Sequence, residues 1–284
     1  MRQFLCCAAT LGLAWVCFSA NVAQAAQVTV ATSGGFAAAY RALAPEFECE
    51  TGNTLVTDLG PSMGDTHDAV PARLARGESI DVVIMVGYAL DALVKAGQVA
   101  TDSRVDLAHS GIGVAVRAGA PRPDISSVTA LRRTLLAAKS IAYSDSASGV
   151  YIQNEMFKRL GIVDQIAGKA RMIPAEPVGK VVARGEAEIG FQQISELKPI
   201  AGIDLLGPLP SELQQDTIYS AGIVAKSQQP IAALALLQFL ASPAASPAIE
   251  ASGMEPIGLR KPGVSAAPLS HSANGNGQCS NVGR

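Results

Sequence analysis

Short apolar segments alternate with helical segments along most of this chain, and this alternation limits the folds available to it. The run IDVVIMV is apolar apart from one aspartate, which is typical of a strand covered on both faces of a sheet. Helical patterns such as FAAAYRALAPEFECETG and ALDALVKAGQV separate the strand-like segments. Strands that alternate with helices of about ten to fifteen residues predict an α/β fold with parallel, doubly wound sheets.

Two further apolar segments, residues 112–119 and 220–227, lie where the order of strands and helices changes. We interpret them as two crossing strands that join two doubly wound lobes. Lobe 1 would contain residues 26–111 and 223–260, and lobe 2 would contain residues 112–222. A single continuous sheet is the alternative interpretation.

Both ends of the chain differ in composition from the part between them. The first residues combine Arg2, an apolar run and the small-residue motif AQA, which predicts a signal peptide over residues 1–25 and export to the periplasm. An uncleaved membrane anchor is the alternative. Residues 261–284 are rich in Pro, Ser, Gly and Asn without an apolar period, and this composition predicts a disordered tail.

Charge and cysteine content exclude several classes of function. The chain has 22 Lys and Arg against 24 Asp and Glu, and no basic run, which argues against a nucleic-acid partner. After removal of the signal peptide, Cys49 and Cys279 remain, and we expect two unrelated thiols. The two cysteines and three histidines show no metal-ligand spacing, so no metal site is expected. A two-lobed protein without an evident apolar stripe is expected to be a monomer.

Four loops that follow predicted strands carry small residues at a strand-to-helix junction. Ligands of doubly wound sheets bind at the carboxyl ends of the strands, where the N–H groups of the following helices can bind an anion. The loops contain Ser33 and Gly34; Ser62, Met63, Gly64 and Asp65; Asp145, Ser146, Ser148 and Gly149; and Glu176 and Val178. Each loop alone is typical of an ordinary helix N-cap. Their matching positions in two lobes favour a ligand-binding cleft.

Several polar residues in or beside these loops are candidates for chemistry. Asp65, Asp145 and Glu176 are acidic, and N-capping or pairing with a nearby Arg or Lys explains each of them at least equally well. Gln192 and Gln193 close the strand AEIGFQQ, and alternation along a strand predicts that one faces the cleft while the other serves the backbone.

Arg73 is the predicted cationic contact for a ligand with several carboxylates, since a guanidinium binds a carboxylate through two parallel hydrogen bonds. It lies on the helical segment that follows the second loop. A solvated position on the surface is the alternative interpretation. No Walker-type phosphate loop and no GxSxG nucleophile motif is present.

In order and content these loops resemble the periplasmic molybdate-binding proteins of ABC transporters, from Gln27 to about residue 258. The resemblance implies a two-lobed, type II periplasmic-binding-protein-like fold. It places the oxyanion-contacting positions of that family at four residues of this chain, which are Ser33, Ser62, Ser148 and Val178. Gln193 stands where the family usually has a tyrosine whose hydroxyl completes the cage around molybdate, and this departure argues against molybdate.

Longer blocks resemble a divergent branch of the same family, the bacterial aconitate isomerases. These blocks are PSMGDT, DVVIMVG, YSDSASGVY, KARMIPAEPVG and VVARGEAEIGFQQISELK. The resemblance implies an exported, cofactor-independent enzyme that interconverts trans- and cis-aconitate and supports growth on trans-aconitate.

The implied chemistry needs a base that reaches two carbons and donors aimed at the charge that develops. We predict Asp65 or Asp145 as the base, with Tyr151 and Glu176 in reserve. The four loops, Gln193 and Arg73 would supply the donors. A carrier that binds molybdate, another oxyanion or a carboxylic acid and delivers it to an ABC permease is the alternative, because the fold does not discriminate between the two functions.

Overall fold

The computed structural model describes residues 25–64 and 66–257. These residues form eleven strands and eleven α-helices, together with short 3₁₀ turns and a π-helical segment at Ile152–Met156. The strands are β1 (Gln27–Thr32), β2 (Thr54–Leu59), β3 (Val82–Val86), β4 (Val105–Ser110), β5 (Ile112–Arg117), β6 (Ile141–Ser144), β7 (Ala170–Ile173), β8 (Ile189–Gln193), β9 (Ile203–Pro208), β10 (Thr217–Ile223) and β11 (Glu255–Pro256). The helices are α1 (Gly34–Thr51), α2 (Val70–Ala75), α3 (Gly87–Lys95), α4 (Val128–Ala137), α5 (Ala147–Tyr151), α6 (Phe157–Arg159), α7 (Val163–Ile166), α8 (Val178–Ala183), α9 (Ile194–Leu197), α10 (Pro230–Leu240) and α11 (Ser246–Ala251).

The described residues form two separate sheets, each flanked by helices, so the alternative interpretation of one continuous sheet is wrong. The first has the order β11-β4-β10-β3-β1-β2, and the second has the order β7-β6-β8-β5-β9. β1 pairs in parallel with β2 and β3, and β6 pairs in parallel with β7 and β8. β10 and β5 run antiparallel to their neighbours, so both sheets are mixed. The predicted two-lobed α/β fold is confirmed.

The core of lobe 1 follows from the apolar period of the sequence. All five residues of β3 are buried, as a strand covered on both faces requires. The long helix α1 buries Phe36, Tyr40, Leu43 and Phe47, which lie three or four residues apart and therefore on one face. α1 ends at Gly52, whose φ of 72° is left-handed.

The chain crosses between the lobes at two points. Gly111 alone separates β4 of the first sheet from β5 of the second. The return crossing lies between β9 and β10, and β10 pairs with β3 and β4 in the first sheet. The predicted boundary between residues 222 and 223 therefore falls inside a strand of lobe 1. The reason is that the extended pattern begins at Thr217, earlier than the apolar run that was interpreted as the crossing strand.

Two glutamine side chains bind the crossing segments to each other. The Gln214 amide accepts from the Ile112 N–H (2.8 Å) and donates to the Ile112 carbonyl (3.1 Å). With its amide oriented so that both polar atoms are satisfied, Gln193 donates to the Ser110 hydroxyl (2.8 Å) and accepts from the Thr217 hydroxyl (2.9 Å). Gln193 is fully buried. These bonds fix both crossings at the edge of the sheets where the predicted loops lie.

The predicted signal peptide, up to residue 24, and the predicted tail lie outside the described residues. Cys49 on α1 is disulfide-bonded, and no other cysteine lies within the described part of the chain. The expectation of two unrelated thiols is therefore wrong for Cys49. Within residues 25–64 and 66–257 no single helix is long and apolar enough to span a membrane. The segments Pro230–Leu240 and Pro243–Ala251, which meet at an angle of 58°, are together long and apolar enough by length and composition only.

Candidate functional site

The site begins at the N-terminus of α1, directly after β1. The Ser33 N–H donates to the Ile84 carbonyl (2.8 Å), which fixes the turn between strand and helix. The Ser33 hydroxyl is buried and has no hydrogen-bond partner among the described residues. It lies at the positive end of an 18-residue helix. A buried, unpaired donor at such a helix end is suited to an anion.

The loop after β2 lies against the end of β3. The Ser62 hydroxyl accepts from the N–H of Val86 (3.0 Å), the last residue of β3, so Ser62 joins the loop after β2 to the junction of β3 and α3. Met63 packs against the core of lobe 1, and Gly64 has a left-handed φ of 92° that permits the turn. Asp65 lies outside the described residues.

Arg73 is held by two carboxylates of lobe 1. Its guanidinium contacts Asp58 at 2.7 Å and Glu78 at 2.6 Å, and its side chain is largely buried. These two pairs neutralise its charge. The two ion pairs therefore explain the position of Arg73 without a bound ligand.

In lobe 2, three serine hydroxyls lie together at the end of β6. Ser144 Oγ is 2.8 Å from Ser146 Oγ and 3.0 Å from Ser148 Oγ, and the latter two are 3.4 Å apart. A Cβ placed on Gly149 would lie 1.6 Å from the Ser144 carbonyl oxygen, so this turn requires glycine. The three hydroxyls satisfy one another, in contrast to Ser33.

The predicted acidic and phenolic candidates of lobe 2 have protein partners. Asp145 accepts from the Ala175 N–H (2.9 Å), which stabilises a left-handed residue with φ 54°. Glu176 forms two hydrogen bonds with Arg184, at 2.6 and 3.0 Å, and these hold the pKa of Glu176 below its usual range. The Tyr151 hydroxyl donates to the Leu213 carbonyl (2.8 Å).

The two glutamines at the end of β8 take different directions, as strand alternation requires. Gln193 lies between the crossing segments. The oxygen of Gln192 accepts from the Val178 N–H at the start of α8 (2.8 Å), and its nitrogen donates to the carboxylate of Glu196. The predicted contact position at Val178 is therefore already bound by Gln192.

Glu196 and Tyr219 are the two ionisable residues that the sequence analysis missed. A Cβ placed on Gly34 would lie 3.1 Å from Glu196 Oε1, and one placed on Gly35 would lie 1.9 Å from the Tyr219 hydroxyl oxygen. Glu196 on α9 belongs to lobe 2, whereas Tyr219 on β10 belongs to lobe 1. Both side chains therefore reach the first turn of α1, next to Ser33.

The surroundings shift the pKa values of both groups upward. Burial, and to a lesser degree the charge of Asp145, raises the pKa of the Glu196 carboxyl to about 7, although its hydrogen bond with Gln192 lowers it. Burial, followed by the charges of Glu196 and Tyr88, raises the pKa of the Tyr219 phenol well above its usual value. A carboxyl that titrates near neutral pH is suited to acid–base catalysis, and a neutral phenol is suited to hydrogen-bond donation.

A simple sequence signal could have identified these residues. Glu196 follows the carboxyl end of β8 by three residues, so the rule that selected the other loops extends to it. Tyr219 pairs with Val86 at the carboxyl end of β3, but it does so from an antiparallel strand, whose amino end lies at that edge. A search restricted to the carboxyl ends of strands passes over such a residue.

The site is built from hydroxyl, amide, carboxyl and phenol groups of both lobes. Within the described residues no three His, Cys, Asp or Glu side chains are placed to hold a metal ion. The donors at α1 can bind an anion, and Glu196 can exchange a proton next to it. This combination is able to bind a carboxylate and to perform proton transfer.

Comparison with known proteins defines the class. The family model of the bacterial extracellular solute-binding proteins matches residues 28–255, and the chain belongs to this family. Its fold is the type II, two-lobed arrangement of periplasmic binding proteins. The molybdate-binding protein of Azotobacter vinelandii has a similar structure, with a TM-score of 0.64 and 21% identity over 80% of this chain and 98% of that one. The sulfate-binding protein SubI of Mycobacterium tuberculosis has a TM-score of 0.63 at 20% identity, over 82% and 87%.

Two relatives narrow the comparison within the family. The chain is 54% identical over 252 residues to an aconitate isomerase from Pseudomonas sp, which covers 87% of this chain and 96% of the relative. It is 27% identical over 245 residues to the molybdate-binding protein of Azotobacter vinelandii, which covers 82% and 92%.

Proposed function

We propose that this chain is an exported, periplasmic aconitate isomerase that interconverts trans- and cis-aconitate by allylic proton transfer in the cleft between its lobes. The observation that carries the proposal is the 54% identity, which extends over 96% of an aconitate isomerase. The reaction needs no net oxidant or co-reactant, and it would allow trans-aconitate to be assimilated.

The chemistry follows from the structure of the substrate. A base removes a proton from the CH2 carbon, and the electron pair of the C–H bond becomes an allylic carbanion whose charge spreads onto a carboxylate. A proton is then returned to the former vinyl carbon, and the double bond shifts by one position. The product has the same constitution, and its cis or trans geometry depends on the conformer that was bound.

The substrate carboxylates would be held by the predicted loops. The first turn of α1 with the Ser33 hydroxyl supplies donors from lobe 1, and the serine cluster Ser144, Ser146 and Ser148 supplies donors from lobe 2. One preorganised donor to a developing oxyanion is commonly worth about 3 kcal/mol in the transition state. The charge of Arg73 is already paired, so helix ends and hydroxyls carry most of the recognition in this proposal.

The direct test is isomerisation by the purified protein at a concentration far below that of its substrate. Started from trans-aconitate or from cis-aconitate, the reaction should reach the same mixture of isomers, measured by chromatography of the acids. A buffer sample without protein corrects for uncatalysed isomerisation. No conversion from either side, together with a rise of the melting temperature with molybdate or another oxyanion, would instead favour the carrier that delivers its ligand to an ABC permease.

A further inference from the structure

We infer that Glu196 is the catalytic base of the isomerisation and that Gln192 is its positioning residue. The inference rests on the proposed function and adds to it the residue that carries the proton. It replaces the sequence-based choice among the loop residues.

The position of Glu196 is the first reason. Its Oε1 lies beside Gly34 in the first turn of α1. There the Ser33 hydroxyl, which has no partner in the described part of the chain, and the helix N–H groups would hold a substrate carboxylate. The CH2 carbon to be deprotonated is bonded directly to a carboxylate carbon in aconitate. A carboxylate bound at α1 therefore brings the acidic C–H within reach of a base at this position.

The orientation of Glu196 is the second reason. Oε2 accepts from the Gln192 amide, and the oxygen of that amide is itself held by the Val178 N–H at 2.8 Å. The neighbouring residue Ser195 is buried, and its hydroxyl lies 3.4 Å from that of Ser110 in the crossing segment. One carboxylate oxygen is thus fixed to lobe 2, while the other faces the helix end of lobe 1.

The charges around Glu196 are compatible with this role. Asp145 is the acidic group that acts on it, and the buried Tyr219 phenol faces it from β10, with Tyr88 beyond. A nearby negative charge and burial make the carboxylate more basic, which strengthens proton abstraction from carbon. The phenol can donate a hydrogen bond to the charge that develops on the substrate.

Glu196 alone can both remove and return the proton. The ionised Glu196 takes a proton from the CH2 carbon and becomes a carboxylic acid, and the C–H electron pair passes into the allylic carbanion. The carboxylic acid then gives a proton to the former vinyl carbon, at the other end of the allylic system, and Glu196 is again ionised. Gln192 stays hydrogen-bonded to Oε2 throughout and holds the carboxyl between the two carbons.

The test is Glu196→Gln, with Glu250→Gln as the matched control, since Glu250 is an exposed glutamate on α11. We expect kcat of Glu196→Gln to fall at least 100-fold, as loss of general-base catalysis predicts, with KM changed less than fivefold. Glu250→Gln should retain the wild-type kcat. A fall in kcat of less than 100-fold would overturn the inference. It would also be overturned if Asp65→Asn or Asp145→Asn abolished turnover and Glu196→Gln did not.

A pH profile separates catalysis from a merely structural role. The wild-type kcat/KM should fall below pH 7 as the carboxyl becomes protonated, and the residual activity of Glu196→Gln should lack this fall. His67→Gln and His109→Gln should keep this fall, because neither imidazole takes part in the proposed proton transfer. Persistence of the fall in Glu196→Gln would overturn the inference. If the wild-type protein converts neither isomer, the proposed function fails instead.

Discussion

The two lobes present different polar groups to the cleft. In lobe 1, the Ser33 hydroxyl is buried at the start of a long helix and has no partner within residues 25–64 and 66–257. In lobe 2, the hydroxyls of Ser144, Ser146 and Ser148 bond to one another. The donors of lobe 1 are therefore available before a ligand binds, whereas those of lobe 2 must exchange partners. In the proposed mechanism, lobe 1 would supply the preorganised anion site, and lobe 2 would supply the acidic group that reaches it.

The glycines beside these two sites differ in the same way. At Gly149 of lobe 2, a Cβ would meet the backbone carbonyl of Ser144 at 1.6 Å, and a backbone atom cannot move aside cheaply. At Gly35 of lobe 1, it would meet the tip of the Tyr219 side chain at 1.9 Å. Substitution in lobe 2 should therefore affect folding most, and substitution in lobe 1 should affect activity most.

Gly149→Ala should have the largest effect. The clash with the Ser144 carbonyl requires the turn before α5 to rearrange, which we expect to cost about 3 kcal/mol or more of the free energy of unfolding. Urea unfolding measures this loss. Gly168→Ala is the control, because a Cβ there meets no atom within 4 Å. Equal stability of the two variants would contradict the prediction.

Gly35→Ala should reduce activity more than stability. The added methyl group must displace the Tyr219 phenol from the first turn of α1, and a displacement of about 1 Å at a catalytic site commonly costs on the order of 100-fold in rate. We expect that loss in kcat/KM, with a decrease of about 1–2 kcal/mol in the free energy of unfolding. Activity within threefold of the Gly168→Ala control would show that Tyr219 does not contribute.

Ser33→Ala compared with Ser148→Ala tests the difference between the lobes directly. The Ser33 hydroxyl has no described partner, so its removal should change stability by less than about 0.5 kcal/mol while reducing kcat by about 10- to 100-fold. Ser148 bonds to Ser144 and Ser146, so its removal should cost about 1 kcal/mol of stability. Its effect on kcat should be smaller. The reverse order of the two kcat effects would show that lobe 2 carries the preorganised site.

The sequence predicts the fold well because the fold depends on local patterns. The apolar period of α1, the buried run of β3 and the alternation of strands and helices are each visible within about twenty residues. The return crossing was placed too late because the start of β10 at Thr217 depends on pairing with β3 and β4, which are distant in the sequence. Pairing between distant strands leaves no local pattern.

The candidate site is predicted less completely, for a related reason. The loops that contain Ser33, Ser62 and Ser148 follow parallel strands, and a simple rule locates them. The partners of the acidic residues cannot be read from their spacing: Glu176 pairs with Arg184, and Glu196 reaches the opposite lobe. Which carboxyl lies next to a helix of the other lobe depends on how the two lobes pack together, and local spacing carries no signal for that packing.

The smallest expected effect concerns the stability of Glu196→Gln at two pH values. The pKa of Glu196 is about 7 in the folded protein and near 4.3 in an unfolded chain, so the folded state binds more protons between these values. Its contribution to stability is therefore fully present below about pH 4 and is lost as the pH rises through 7. Glutamine has no such proton to lose.

The full pKa difference corresponds to about 2.5 kcal/mol between pH 5 and pH 8. Solvent near the part-buried carboxyl reduces this value, so Glu196→Gln should gain about 1–2 kcal/mol in the free energy of unfolding at pH 8 compared with pH 5, relative to the wild type and measured by urea unfolding. Glu250→Gln should show no such difference between the two pH values. A variant that loses catalysis but gains stability in alkaline solution is what a part-buried catalytic base predicts, because its ionised form is retained for the reaction at the expense of stability. A carboxylate that the folded protein holds in its ionised form, without a raised pKa, predicts no such difference, with Glu196→Gln equally less stable at pH 5 and at pH 8.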